Sequence, residues 1–97
     1  MENECKRQLK ERLREAGLKT SLPRLKILEA LHRATLENGG ASARALHDDL
    51  VEAGVPLSLG GVRQVICRLS SHGLILHEAN HRYSFSLEGK ALARVEA

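Results

Sequence analysis

Apolar residues recur at helical spacing in four stretches of the chain and at alternating spacing in a fifth. The first stretch is Asn3 to Ala16, where Cys5, Leu9, Leu13 and Ala16 make one narrow stripe. Lys6, Arg7, Lys10, Arg12 and Arg14 cover most of the remainder, interleaved with Glu11 and Glu15. Gly17 stands where a helix C-terminal cap belongs. Thr20-Ser21-Leu22-Pro23-Arg24 opens a second helix, because Ser21 or Thr20 can accept an orphan backbone N–H and proline fits in a first turn. Its buried face is Leu25, Ile27, Leu28 and Leu31, and the pattern fades near Ala34, ahead of Asn38-Gly39-Gly40.

Ser42 caps a third helix with Ala43, Leu46 and Leu50 inward, and Gly54 ends it. Ser58 caps a fourth, in which Leu59, Val62, Ile66 and Leu69 recur at three, four and three residues, with Gly73 as its stop. The period then changes to two. Leu74–Glu78 and Arg82–Leu87 read as strands joined by Ala79-Asn80-His81, with Tyr83, Phe85 and Leu87 on one face. A last short helix, about Glu88 to Glu96, carries Leu92 and Val95.

This order predicts a mainly α chain with a small β-hairpin: a winged helix-turn-helix of four helices, a two-stranded wing and a short C-terminal helix. Residues 1–97 form one domain, with a basic N-terminal helix over 1–17, the winged core over 18–87 and the C-terminal helix over 88–97. In such a motif the helix 58–72 enters the major groove of double-stranded DNA, N-terminal residues first. Its outward face carries Ser58, Gly60, Gly61, Arg63, Gln64, Cys67, Arg68 and Ser71. Arginine suits guanine edges and glutamine suits adenine. Two glycines in the first turn weaken the helix but let the backbone approach a ligand closely. His81 and Arg82, at the wing turn, complete the DNA-facing set.

Charge supports this orientation. The net charge is +3, but residues 1–34 hold nine Lys/Arg against five acids, and residues 58–73 hold two Arg and no acid. Between them, residues 35–57 hold one Arg and four acids. Basic blocks flanking an acidic one suit a surface that tracks phosphates. Tyr83 and Phe85 are the whole aromatic complement, too few for the stacking platforms that bind single strands.

The residues Leu13 to Leu31, LREAGLKTSLPRLKILEAL, closely resemble the N-terminal domain of the ferric uptake regulator family. The resemblance runs over about residues 9–87, through Ser42-Ala43 and Leu46, Leu59 and Val62, and Gly73-Leu74. It implies a winged helix that binds an operator as part of a dimer, a bacterial transcriptional regulator. Lys19 matches the family's AGLK lysine, near the minor-groove side of the duplex. Arg24 matches the LPR arginine, near the DNA backbone or in a structural ion pair.

The chain departs from the family pattern in several places. Leu-Ala-Thr-Val-Tyr-Arg at the recognition helix reads Leu59-Gly60-Gly61-Val62-Arg63-Gln64 here, so the base-contacting Tyr is Arg63 and the next Arg is Gln64. The wing is shorter. Gly40 and Ser86 stand where the family has a His and a Glu, and the His-rich segment and dimerisation domain do not appear. The expectation is therefore a regulator without the family's metal sites and without a cofactor.

No GxSxG, HExxH, P-loop or GxGxxG motif occurs, so no enzyme is predicted. Cys67, His72, His77 and His81 offer ligand chemistry, but their spacing crosses a helix end and a hairpin and matches no standard metal site. Two cysteines make no disulfide framework, and no apolar run suits a signal peptide or a membrane span, so a cytoplasmic protein is expected. The alternative to DNA binding is a winged-helix interaction module that pairs with another regulator, such as a full-length family member, and has lost operator reading. A homodimer through one or both terminal helices is the expected assembly.

Overall fold

The computed structural model describes residues 2–85, with side chains described from residue 6 onward except at Ala79. Leu87 and the C-terminal helix expected near Glu88 to Glu96 lie outside the described residues. The elements run α1 (Glu2–Glu15), α2 (Leu22–Asn38), β1 (Ala41–Ser42), α3 (Ala43–Glu52), α4 (Leu59–Ser71), β2 (Leu76–Glu78), a single 3₁₀ turn over Ala79–His81, and β3 (Arg82–Ser84).

Capping residues start the helices where the sequence places them. The Ser21 hydroxyl accepts from the Arg24 N–H at 3.4 Å, Ser42 from Ala45 at 3.2 Å, and Ser58 from Gly61 at 3.0 Å. Each of these bonds satisfies one of the orphan donors of a first turn. Pro23 sits inside the first turn of α2, where its missing N–H removes no helical bond.

Helix α2 continues past Ala34 to Asn38, longer than its apolar pattern predicts. Its last residues gain little from burial, since Leu36 is 63% exposed. Capping holds them instead. Gly39 N–H bonds to Thr35 O and Gly40 N–H to Ala34 O, and Arg82 Nη2 donates to the carbonyls of Asn38 (3.1 Å) and Gly40 (2.9 Å). Periodicity does not register bonds of this kind.

The expected two-stranded wing is instead part of a three-stranded antiparallel sheet in the order β1-β3-β2. Ala41 pairs with Tyr83 and Ser42 with Arg82; across β3, Leu76, His77 and Glu78 face Ser84, Tyr83 and Arg82. The added strand is two residues long, too short to show an alternation. Gly40 makes this approach possible. With φ at +141°, a Cβ there would fall 2.5 Å from the Tyr83 carbonyl oxygen. The wing strands are also shorter than predicted. Leu74 lies in the turn that closes α4, its N–H bonding to Leu69 O, and Phe85 leaves the ladder to bond to Thr35. Ser84, expected to face away from Tyr83 and Phe85, is itself buried, and its hydroxyl donates to Glu78 Oε2 at 2.9 Å.

The core joins all four helices and the sheet. Leu9 and Leu13 of α1, Ile27, Leu28 and Leu31 of α2, Leu46 of α3, and Val62, Ile66 and Leu69 of α4 are fully buried, with Phe85 and Ile75 beside them. Burial of each large aliphatic side chain is worth about 1.5–3 kcal/mol. Leu9 and Leu13, expected to take part in a dimer surface if the first helix serves one, are therefore taken up by the chain's own core.

Candidate nucleic-acid interface

Helix α4 divides its residues between two environments. Val62, Ile66 and Leu69 anchor it in the core, while Arg63, Gln64, Cys67 and Arg68 are exposed on the other side. Arg63 and Gln64 follow directly on buried Val62, and Arg68 lies one turn beyond Gln64. The short connection from α3 through Gly54 to Leu57 presents the start of this helix outward, with Ser58 and Gly60 in solvent.

The two glycines differ. At Gly61 a Cβ would meet Leu57 Cδ2 at 3.2 Å and Ser58 Oγ at 3.4 Å, so the bare backbone seats the first turn on Leu57. At Gly60 the nearest atom is Ser58 Oγ at 4.0 Å. Its face is open, and nothing within the fold calls for glycine there. The Ser58 hydroxyl accepts the Gly61 N–H as the cap, which leaves its own O–H able to donate.

The loop after α1 supplies exposed Lys19. Arg24 does not stand free beside it. Its Nη1 donates to the Lys19 carbonyl at 2.9 Å, and its side chain is half-buried. Arg82 likewise binds the carbonyls at the end of α2 and is half-buried. His81 is exposed at the wing turn, where it and Asn80 adopt positive φ. The His81 ring lies 6.4 Å from His77, which stacks on Tyr83 with centroids 4.7 Å apart. Gly60, Arg63, Gln64 and Arg68 thus share the exposed side of α4, with Ser58 at its N-terminal end. Lys19 lies on a separate loop and His81 on the wing.

The sequence reading missed the structural roles of two residues. Gly40 permits the third strand, and its only signal was an unusual Gly-Gly pair before Ala41. His72, read as a metal-type side chain, places its Nδ1 2.9 Å from the Ala16 carbonyl oxygen. Among the described residues no three His, Cys, Asp or Glu side chains converge as a metal-ligand group. An open groove of about 440 Å³ lies between the end of α2, the start of α3 and Arg82, and no residue of α4 lines it. Among the described residues no helix is long and apolar enough to cross a membrane.

A family model described as Uncharacterised conserved protein UCP029502 matches residues 4–97. Among curated proteins, the ferric uptake regulation protein of Pseudomonas aeruginosa is 41% identical over 64 residues, covering 66% of this chain and 46% of the relative. That of Legionella pneumophila is 35% identical over 65 residues, covering 67% and 46%. The chain thus spans less than half the length of these relatives. Among solved structures, the Vibrio cholerae ferric uptake regulator, whose DNA-binding domains are described as rearranged, superposes with a TM-score of 0.69 at 31% identity. The alignment covers 81% of this chain and 62% of that one. The Pseudomonas aeruginosa regulator with manganese gives a TM-score of 0.67 at 32% identity, covering 84% and 62%. The match supports the winged-helix fold and the resemblance carried by Leu13 to Leu31.

Proposed function

We propose that this chain, which belongs to the family described as Uncharacterised conserved protein UCP029502, is a regulator that binds duplex DNA through α4 and the wing. The observation that carries the reading is the division of α4: an inward stripe buried in the core, and an outward face bearing Arg63, Gln64 and Arg68 with no acidic residue from 58 to 73. A helix of this kind following a short turn is the element that winged helix-turn-helix proteins place in the major groove. Arg63 and Gln64 read base edges. Gly60 lets the backbone come close, Ser58 donates to phosphate, and Arg68 and Lys19 hold the sugar-phosphate backbone.

Arg24 and Arg82 act differently in this reading. Both bond to main-chain carbonyls, so they order the Lys19 loop and the wing and contribute to DNA chiefly through charge. His81 reaches the duplex from the wing tip. The reaction is binding without catalysis, in the cytoplasm. One of the similar solved structures contains manganese; in this reading the chain has no metal site of that kind. Gly40, which stands where a His is expected, has no space for a side chain beside the Tyr83 carbonyl.

An electrophoretic shift titration of the full chain on a random-sequence duplex, from low to physiological salt, tests the reading. Binding that weakens steeply as salt rises is expected. No shift at low salt sinks it, and favours the alternative of a module that pairs with another regulator.

A further inference from the structure

Helices α1 and α4 end in the same way and end beside each other. Leu18 N–H bonds to Leu13 O at 2.9 Å around Gly17, and Leu74 N–H bonds to Leu69 O at 3.0 Å around Gly73. Each closure turns the chain sharply and leaves carbonyls of the last turn pointing outward. His72 is the residue at the C-terminal cap of α4. Its Nδ1 lies 2.9 Å from the carbonyl oxygen of Ala16, the residue just after α1, joining positions 56 apart in the chain. A carbonyl only accepts, so Nδ1 carries the proton in this contact.

Ala16 opens the short connection that leads to Lys19. The far side of that connection is fastened too, by Arg24 Nη1 on the Lys19 carbonyl at 2.9 Å. Leu18, between the two bonds, is buried in the core. The main chain at Lys19 is thus held from both directions while its side chain stays in solvent. One of the two tethers comes from the recognition helix itself. Helix α1 packs chiefly on α2, and α4 on α3 and α2.

We propose that His72 is a positioning residue, which sets the distance between the recognition helix and the Lys19 loop so that both meet the same duplex. The proposal rests on the DNA-binding reading above. Base contacts from α4 and a phosphate contact from Lys19 reinforce each other only when their spacing is fixed before binding, because ordering the loop on DNA would otherwise offset the contact.

The test has a structural arm and a binding arm. In the first, the full chain carries spin labels at Thr20→Cys and Ser71→Cys, with Cys5 and Cys67 changed to serine. A narrow distance distribution is expected, broadened by His72→Ala and narrow again in His72→Asn, whose side-chain amide returns a donor close to the Nδ1 position. In the second arm, unlabelled protein is titrated onto a random-sequence duplex. His72→Ala should weaken binding roughly three- to tenfold, in the low range for residues coupled in one network. Lys19→Ala should then have little further effect in that background, and His72→Asn should restore both. Equal thermal midpoints for the His72 variants exclude simple destabilisation.

A distribution that stays narrow in His72→Ala overturns the positioning role. A broadened distribution with independent, multiplicative effects of the His72 and Lys19 substitutions overturns its link to DNA. Absence of DNA binding by the wild type sinks the functional reading and the role in recognition with it, while the label distances still decide whether His72 holds the loop.

Discussion

Thr35 and Phe85, fifty positions apart, are joined through one hydroxyl: Thr35 Oγ1 accepts the Phe85 N–H at 3.0 Å and donates to Leu31 O at 2.8 Å. The bond fastens the chain leaving β3 to the last turn of α2. It also accounts for a backbone donor that has just left the sheet and sits beside a buried ring. Thr35→Val keeps the shape and removes the acceptor. A loss of about 1–3 kcal/mol in urea unfolding is expected, with the slope unchanged, because the amide is left without a partner. Stability equal to wild type would show that solvent replaces the hydroxyl.

Gly60 of α4 and Gly40 beside β1 should respond oppositely to alanine. Gly60→Ala fills open space in a helix and should stabilise the isolated domain by up to ~1 kcal/mol. The same methyl group should weaken duplex binding, because it stands where the backbone is to approach DNA. Gly40→Ala, aimed at the Tyr83 carbonyl at positive φ, should instead destabilise by about 1–3 kcal/mol. Paired denaturation and shift assays check this. A Gly60→Ala variant that is stabler and binds DNA as well as wild type would remove Gly60 from the interface.

Electrostatics predict the salt response. Lys10, Lys19 and Arg68 are exposed basic residues outside the base-reading pair. If each meets a phosphate, the log–log dependence of affinity on salt has a slope of about −3, at roughly −0.9 per contact. Lys19→Ala should reduce its magnitude by about one. Measurable affinity with a flat salt response would point to a different mode of binding.

Sequence discrimination separates two kinds of contact. Arg63→Ala and Gln64→Ala should each remove about 1–3 kcal/mol of discrimination between base pairs at one position. Lys19→Ala should weaken all sequences alike. Selection from random duplexes with wild type and variants reads this directly. Recovery of one motif with equal information content from the Arg63→Ala protein would mean that α4 is not oriented in the groove as proposed.

Wherever a local rule suffices, the pattern of residues determined the outcome. Ser21, Ser42 and Ser58 start helices because a hydroxyl captures an orphan N–H, and the steps between Val62, Ile66 and Leu69 decide which side of α4 faces the core. The same arithmetic left Arg63, Gln64 and Arg68 outside, so the exposed side of α4 was legible in the sequence.

Only the tertiary structure decided matters that depend on residues far apart in sequence. Ala41 became a strand because Tyr83 lay opposite it and Gly40 left room, while the tail of α2 persisted because Arg82 bound its carbonyls. Leu9 and Leu13 of α1 closed onto the chain's own core, an outcome that depends on the volume left between the other helices. Arg24, Arg82 and His72 looked like surface cations or ligands in the sequence, and became ties to carbonyls. A hydrogen bond to a main-chain carbonyl requires only an oxygen, which every residue has. No side-chain pattern marks its partner, and only the folded backbone brings the two together.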